Sequence, residues 1–267
     1  MKKEKLISCL ILVGIVFAIP SCLYLVRNTG NIAEYSGEYF YMIGNSGKFF
    51  DMTGALIFAW SVLLMFLIYW RLVCKSSEFQ SLKSIILGAA VVGLAFLVCL
   101  PNLSQDVFFY MGNGRAIDKY GVNPYTTTVA EIEELDTTDV LLKTVGSQKE
   151  YSFVYGPVFL AICGLLNQIS FSSVALFLYE FKILNFVAYL LTVYLVYRLT
   201  KKKKLTVAYA FNPLILLEVL VNVHNDIFVV LFALIGILLV KEAAKIRGKF
   251  WKSEITFLLR TCVFSGK

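Results

Sequence analysis

Side chains that can do acid–base chemistry occur at three places in an otherwise apolar chain. Asp106 follows a long apolar run, Glu218 lies inside another, and the triplet His224-Asn225-Asp226 separates two further runs. Carboxylates and imidazoles are the groups that most often move protons during a reaction. A charge in lipid costs roughly 2.5 to 3.5 kcal/mol, so Glu218 is expected to face a polar cavity or a partner. We therefore predict one polar site at the edge of a membrane.

Each of these residues also has a structural interpretation. An acid directly after a helix, such as Asp106, can simply mark the water interface, and a lone histidine such as His224 is more often a satisfied structural group than a ligand. A tight turn between two membrane helices needs small polar residues, but it does not need Glu218, His224 and Asp226 together. The combination favours function over a plain turn.

The composition defines the class of protein that must position these side chains. Hydrophobic residues make up 58% of the chain, charged residues 16%, and the mean hydropathy is +0.74. Such values predict an all-α, polytopic membrane protein rather than a soluble domain. Stretches near the roughly 20 residues needed to cross a bilayer predict six spans: Leu6–Val26, Thr53–Val73, Ser84–Leu100, Val174–Leu199, Leu205–Val221 and Ile227–Val240.

The orientation follows from the basic residues. Gly156–Ile169 is apolar but short, so we predict a helix lying at the outer face rather than a span. Lys201–Lys204 and the other basic clusters then stay inside, with sixteen Lys and Arg residues in or beside inner segments and six outside. Ala18–Cys22 superficially resembles a signal-peptide processing site, but the apolar run continues to Val26, which favours an uncleaved anchor. We expect a cytoplasmic N-terminus and an extracytoplasmic site.

Residues 1–267 are predicted to form a single transmembrane domain. It comprises two N-terminal spans (1–83), a core (84–240) with an outer segment (101–155) and an interfacial helix (156–169), and a basic segment with an incomplete span (241–267). The outer segment is much longer than ordinary connections of about 4 to 6 residues, so it should be folded, with a solvated acidic middle from Glu131 to Asp139. Glu180 and Lys182, near the start of the fourth span, are expected to snorkel toward an interface.

The net charge of +7 is read as a topogenic signal and a contact with anionic membrane lipids. We expect no nucleic-acid partner.

Three motifs resemble a known family, and the match covers about residues 84–240. The first is Ser104-Gln105-Asp106-Val107-Phe108-Phe109-Tyr110, which continues through Gly114-Arg115 to Tyr120-Gly121-Val122-Asn123-Pro124-Tyr125. The second is Tyr155-Gly156-Pro157, and the third runs from Asn212-Pro213-Leu214 through Glu218 to Asn222-Val223-His224-Asn225-Asp226. In these motifs the chain resembles the polytopic GT-C glycosyltransferases, especially the bacterial polyprenyl-phosphate-mannose-dependent α-mannosyltransferases.

The resemblance implies transfer of a hexose, mannose in the first place, from a polyprenyl-phosphate donor to an extracytoplasmic glycan, glycolipid or protein acceptor in a bacterial cell membrane. It implies Asp106 as the general base that takes the acceptor proton. The residues expected to bind substrate are Gln105, Arg115, Asn123, Tyr125, Tyr155, Glu218, His224, Asn225 and Asp226.

Arg115, His224 and Asn225 are the candidates for stabilising the leaving phosphate. Asp226 has three open roles: orienting His224, binding a divalent cation, or holding an acceptor hydroxyl. Some members of the family use Mg or Mn and others do not, so a metal on Asp226 and His224 is left as an option and no cofactor is certain.

Two rival functions stay open at this point. An ion-coupled solute transporter or lipid flippase would use the same carboxylates and His224 as a proton or cation path, although no internal repeat is evident. A non-catalytic assembly or sensor protein is the second rival. The family usually continues for several further spans, whereas this chain ends at Lys267, which predicts an inactive fragment, a frameshifted product or a subunit that needs a partner.

Overall fold

The computed structural model describes residues 2–27, 50–101 and 103–264, and these residues form helices and loops without a strand. The predicted all-α class is thereby confirmed. The helices, in chain order, are α1 (Lys3–Arg27), α2 (Phe50–Cys74), α3 (Leu82–Leu97), α4 (Asp106–Asp118), α5 (Val129–Leu135), α6 (Val140–Lys143), α7 (Pro157–Ile169), α8 (Val174–Thr200), α9 (Lys203–Ala210), α10 (Pro213–Ile215) and α11 (Asp226–Phe264). Short 3₁₀ turns cover Ser76–Glu78 and Gly146–Glu150, and a π-helical turn, Leu216–Val221, continues α10.

Each predicted span coincides with helical structure. Within the described residues, α8 and the first part of α11 (Asp226–Ile246) are long and apolar enough to cross a membrane. The pair Lys203–Ala210 and Pro213–Val221 qualifies as a third span, bent by 41°. Phe58–Cys74, Leu82–Leu97 and Pro157–Ile169 are shorter apolar helices. The chain thus has the architecture of a helical membrane protein.

The sequence explains where several helices begin and bend. Ser81 and Ser84 form a capping box that starts α3, and the Ser173 side chain accepts the Leu176 N–H at the start of α8. Pro213 cannot donate a helical hydrogen bond and disfavours a helical conformation at Asn212, so the chain breaks between α9 and α10. After this break the chain continues through the π turn to Asn222, whose side chain contacts the start of the outer segment at Leu103.

The last helix differs from the predicted organisation. α11 continues without interruption from Asp226 to Phe264, through the basic segment that the sequence separates from the span. The segment after Val240 is rich in Lys, Ala and Glu, which are strong helix formers, and contains no proline to end the helix.

The outer segment is folded, as its length predicts. It contains α4, α5, α6 and the 3₁₀ turn, and most of α4 is buried. α4 packs closely on α7: a Cβ atom added to Gly114 would lie 2.4 Å from the Cys163 carbonyl oxygen. The acidic middle is not wholly solvated, because Asp139 is only 6% exposed. Its carboxylate is stabilised there by hydrogen bonds from Arg115 and Lys119.

Lys182 does not reach an interface, which corrects the snorkelling prediction. Its side chain is completely buried between α8 and the π turn. The Nζ atom donates hydrogen bonds to the carbonyl oxygens of Leu220 at 2.6 Å and Val221 at 3.1 Å. Carbonyls at a helix end have no intrahelical partner, so they accept the hydrogen bonds of Lys182 Nζ in place of water.

Candidate active site

The polar cluster lies where the start of α4 meets the turn between the π-helical segment and α11. The His224 imidazole sits between two carboxylates: Nδ1 is 3.2 Å from Asp106 Oδ2, and Nε2 is 3.1 Å from Glu218 Oε2. The structure thus brings three of the predicted site residues into direct contact, although they come from two distant parts of the sequence.

The backbone of the turn has an unusual geometry that directs His224. The Asn222 N–H donates to the Leu217 carbonyl and the His224 N–H donates to the Glu218 carbonyl, both at 2.9 Å. Val223 has a φ angle of 63°, a left-handed conformation that is rare for a β-branched residue. Such strain costs on the order of 1 to 3 kcal/mol and often occurs at functional sites. Tertiary contacts hold this conformation in place.

Asp106 is fixed by the outer segment as well as by His224. It is the first residue of α4, and its N–H donates to Ser104 Oγ at 3.1 Å. Gln148, in the 3₁₀ turn, donates from Nε2 to Asp106 Oδ1 at 2.8 Å. One carboxylate oxygen therefore accepts from Gln148 and the other from His224, so the orientation of the carboxylate is defined on both sides.

Glu218 is also supported by a second group. Asn222 donates from Nδ2 to Glu218 Oε2 at 3.1 Å and accepts the Leu103 N–H on Oδ1 at 3.0 Å. Asn222 thereby connects the hairpin turn to the residues that lead into α4. The side chains of His224, Asp106 and Glu218 are 22%, 21% and 34% exposed, so a ligand can reach them.

The electrostatics of the cluster favour a charged histidine. Hydrogen bonds to Asp106 and then Glu218 raise the pKa of His224 to about 10, against the opposing effect of burial. The bond from His224 lowers the pKa of Asp106, with a further contribution from Gln148, although burial acts in the opposite direction. At neutral pH the site therefore holds an imidazolium beside an ionised Asp106 carboxylate.

The predicted aromatic and amide residues lie near this cluster with defined contacts. Asn225 is buried, and its Oδ1 lies 3.5 Å from the Tyr110 hydroxyl. The Tyr110 and Tyr155 rings are in edge contact at 5.3 Å between centroids. The Tyr125 hydroxyl donates to the Tyr155 carbonyl at 2.8 Å. These contacts join the outer segment to the turn through a continuous set of side chains.

Three other predicted residues have more peripheral positions. Gln105 immediately precedes α4, and its carbonyl accepts the Phe108 N–H. Asn123 shapes its own turn, because its Oδ1 accepts the Tyr125 N–H at 3.1 Å. Asp226 is the exposed first residue of α11, whereas the groups that orient His224 are Asp106 and Glu218.

Arg115 is not brought to the cluster. It follows Asp106 by nine positions on α4, which corresponds to about 14 Å along a helix. Its Nε donates to Asp139 Oδ2 at 2.9 Å, with both side chains largely buried. The structure gives Arg115 a partner within the outer segment.

Comparison with known proteins identifies the family. Residues 8–262 match the sequence profile described as "Alpha-(1->6)-mannopyranosyltransferase, N-terminal domain". The chain belongs to this family. It is also similar to Alpha-(1->6)-mannopyranosyltransferase A of Corynebacterium glutamicum, with 26% identity over 167 residues. That alignment covers 61% of this chain and 33% of the relative, so the chain spans about a third of the length of the curated relative that it matches. No solved structure matches.

Membership in this family confirms the resemblance read from the motifs. The cluster around His224 combines two of the three motifs on which that resemblance depends. The residues of those motifs are thus adjacent in space as well as ordered in the sequence.

A divalent metal on Asp226 and His224 stays a prediction for this site. Within the described ranges, no group of three or more His, Cys, Asp or Glu residues could hold a metal ion. Both ring nitrogens of His224 face carboxylates, those of Asp106 and Glu218.

The sequence did not predict that four residues support this region: Gln148, Asn222, Lys182 and Asn185. Asn222 lies inside the third motif, so its position could have indicated a contact with the other polar residues of that motif. Lys182 and Asn185 are three positions apart in an apolar helix and therefore on one face, which could have indicated a shared buried partner. Nothing in the local sequence marks Gln148.

Proposed function

We propose that this chain forms the catalytic face of a membrane α-mannosyltransferase that transfers mannose from a polyprenyl phosphate to a hydroxyl of a glycan, glycolipid or protein acceptor outside the cytoplasm. The observation that carries the proposal is the Asp106 carboxylate, which is held by His224 and Gln148 and is still partly exposed. Family membership supports the sugar. The donor is the class of substrate that the GT-C resemblance implies.

In the proposed reaction, Asp106 acts as the general base. The acceptor hydroxyl oxygen forms a bond to the anomeric carbon while the bond from that carbon to the phosphate oxygen breaks. The hydroxyl proton goes to Asp106, and the phosphate leaves with the bonding electrons. The attack and the departure take place on opposite faces of the sugar, so the configuration inverts. A carboxylate that is already ionised and oriented can take this proton without first losing one.

The linkage is proposed from the curated relative, whose name specifies an α-(1→6) product. If this chain makes the same linkage, the acceptor presents a primary 6-hydroxyl. Inversion then requires a donor in which mannose is β-linked to the phosphate. The partly exposed Tyr125 and Tyr155 provide aromatic surface beside the cluster for an acceptor sugar.

The leaving phosphate needs positive charge near the site as negative charge grows on it. His224 is the cation that the cluster supplies, since Arg115 is paired with Asp139. Asn225 adds an amide at the start of α11, and a helix N-terminus also favours an anion. Asp226 carries a negative charge and is assigned instead to an acceptor hydroxyl.

The location of basic residues supports an extracytoplasmic site. The Lys3 N–H donates to Glu78 Oε2 at 3.1 Å. Lys203 Nζ donates to the carbonyls of Phe79 and Gln80 at 2.8 and 2.9 Å. The start of α1, the α2–α3 turn and the start of α9 therefore meet at one end of the bundle, whereas α3 leads away from that end toward Asp106. Basic residues favour the cytoplasmic side.

The test is a transfer assay with membranes that contain the full chain, a synthetic polyprenyl-phosphate-mannose and a mannoside acceptor. Asp106→Asn should reduce the transfer rate by about 10²- to 10⁴-fold, because the amide cannot accept the proton. Asp118→Asn is the matched control: Asp118 lies at the other end of α4 and bonds Asn167 at 2.8 Å, so this variant should stay within about twofold. An Asp106→Asn variant that transfers mannose at the unmodified rate would contradict the proposal.

A further inference from the structure

A buried polar pair on α8 contacts the backbone that carries His224. Lys182 and Asn185 are both fully buried. Lys182 Nζ donates to the Leu220 and Val221 carbonyls. Asn185 Nδ2 donates to the Val219 carbonyl at 3.0 Å and to the His224 carbonyl at 3.1 Å. One face of α8 thus contacts four carbonyls of the turn.

The backbone hydrogen bonds at the end of the π turn explain why Lys182 and Asn185 are needed. At the end of the π turn, the carbonyls of Leu217 and Glu218 accept the N–H groups of Asn222 and His224. The next carbonyls, those of Val219, Leu220 and Val221, face α8 and accept from Asn185 and Lys182. A buried carbonyl without a donor is strongly disfavoured, and far more so at membrane depth.

The contacts also explain how a strained turn persists. Val223 keeps its left-handed conformation between the carbonyls bound by Lys182 and the His224 carbonyl bound by Asn185. Donors therefore hold the chain on both sides of the strained residue.

We propose that Lys182 and Asn185 are positioning residues: they hold the hairpin turn so that the His224 ring lies between Asp106 and Glu218. This inference rests on the proposed function for its effect on catalysis. The positional claim itself is independent of it, because it concerns the geometry of His224. Neither residue contacts the reacting atoms.

The chain offers a direct probe of that geometry, since His224 is its single histidine. The 267-residue chain labelled with ¹⁵N-histidine in lipid nanodiscs will give one set of ring-nitrogen NMR signals. At pH 8 the unmodified protein should show a ring protonated on both nitrogens. Lys182→Met and Asn185→Leu keep the approximate size of each side chain but remove its donors. In both variants we expect neutral-ring signals to appear at this pH.

The kinetic expectation follows from displacement of the ring. Lys182→Met should lower kcat by about tenfold or more, because small displacements from reactive geometry reduce rates strongly, while the donor KM changes less than about twofold. Lys203→Met is the matched control. It likewise removes the Nζ donor of a lysine from two backbone carbonyls, here those of Phe79 and Gln80 at the opposite end of the bundle, and should leave both kcat and the His224 signals unchanged.

The outcomes separate the two proposals. A folded Lys182→Met protein with unaltered His224 signals would overturn the positioning role; if that variant does not fold, Asn185→Leu decides the question by the same signals. Unchanged signals in the deciding variant overturn the inference, whatever the transfer assay shows. Conversely, altered signals together with an active Asp106→Asn protein would keep the positioning role and reject the proposed chemistry.

Discussion

Replacement of His224 by glutamine tests the charge distribution of the cluster. Gln keeps one amide donor and similar size but cannot carry a charge, so Asp106 and Glu218 would lose the cation between them. Converted at about 1.4 kcal/mol per pKa unit, the rise of the His224 pKa from 6.5 to about 10 corresponds to about 5 kcal/mol. Because all three side chains contact water, screening reduces the expected loss to about 2 to 3 kcal/mol.

The stabilisation that His224 provides should decrease as the pH rises. Folding raises the pKa of His224, so the folded chain binds the proton more tightly than the unfolded chain does. The stabilisation is complete below pH 6.5 and disappears as the pH rises through about 10. The difference in unfolding free energy between the unmodified protein and His224→Gln should therefore be largest near pH 6 and vanish near pH 10.5.

The measurement is reversible unfolding in mixed detergent micelles at a series of pH values, together with an NMR titration of the single histidine. Lys245→Gln is the control, because it removes an exposed pair with Glu242 on α11 and should cost less than about 0.5 kcal/mol. A His224 titration midpoint near 6.5, or a stability difference that does not change between pH 6 and 10.5, would refute the assignment of an imidazolium between two carboxylates.

Two further substitutions test the outer segment. Gly114→Ala should destabilise the fold by about 1 to 3 kcal/mol in the same unfolding measurement, because its Cβ would meet the Cys163 carbonyl oxygen at 2.4 Å. The control is Gly156→Ala, which should have little effect because no atom lies within 4 Å of the added Cβ. Equal losses of unfolding free energy in the two variants would contradict the close α4–α7 contact. Arg115→Met should lower the free energy of unfolding by about 2 to 4 kcal/mol, because the largely buried Asp139 keeps one cation fewer. The donor KM should stay unchanged. A strongly raised KM would instead show that Arg115 binds the donor phosphate.

Much of the fold could be predicted from the sequence. The bounds of α3 and α8 fall within a few residues of the predicted spans, because long apolar runs with capping serines such as Ser81 and Ser173 leave few alternatives to a helix. The length of the outer segment correctly indicated folded structure there. The unbroken course of α11 was missed, because a change from apolar to basic residues alters solvation without ending a helix.

The candidate site was predicted in part. The sequence identified Asp106, Glu218 and His224 as members of one polar region, and the structure joins them within 3.2 Å. It did not indicate that Asp106 and Glu218 rather than Asp226 contact the imidazole, or that Gln148 supports Asp106 from the outer segment. Arg115 could equally have faced a phosphate or an acid, and only the position of Asp139 decides between them. The catalytic and binding roles stay predictions.

The sequence alone determined the helical membrane class, the approximate spans and the set of ionisable residues near one face, because apolar length and local capping are properties of neighbouring residues. The tertiary structure decided the partners: His224 between two carboxylates, Lys182 buried on backbone carbonyls rather than at an interface, and Arg115 paired with Asp139. The physical reason is that hydrogen bonds and ion pairs are directional and act over about 3 Å, so they depend on how distant segments meet.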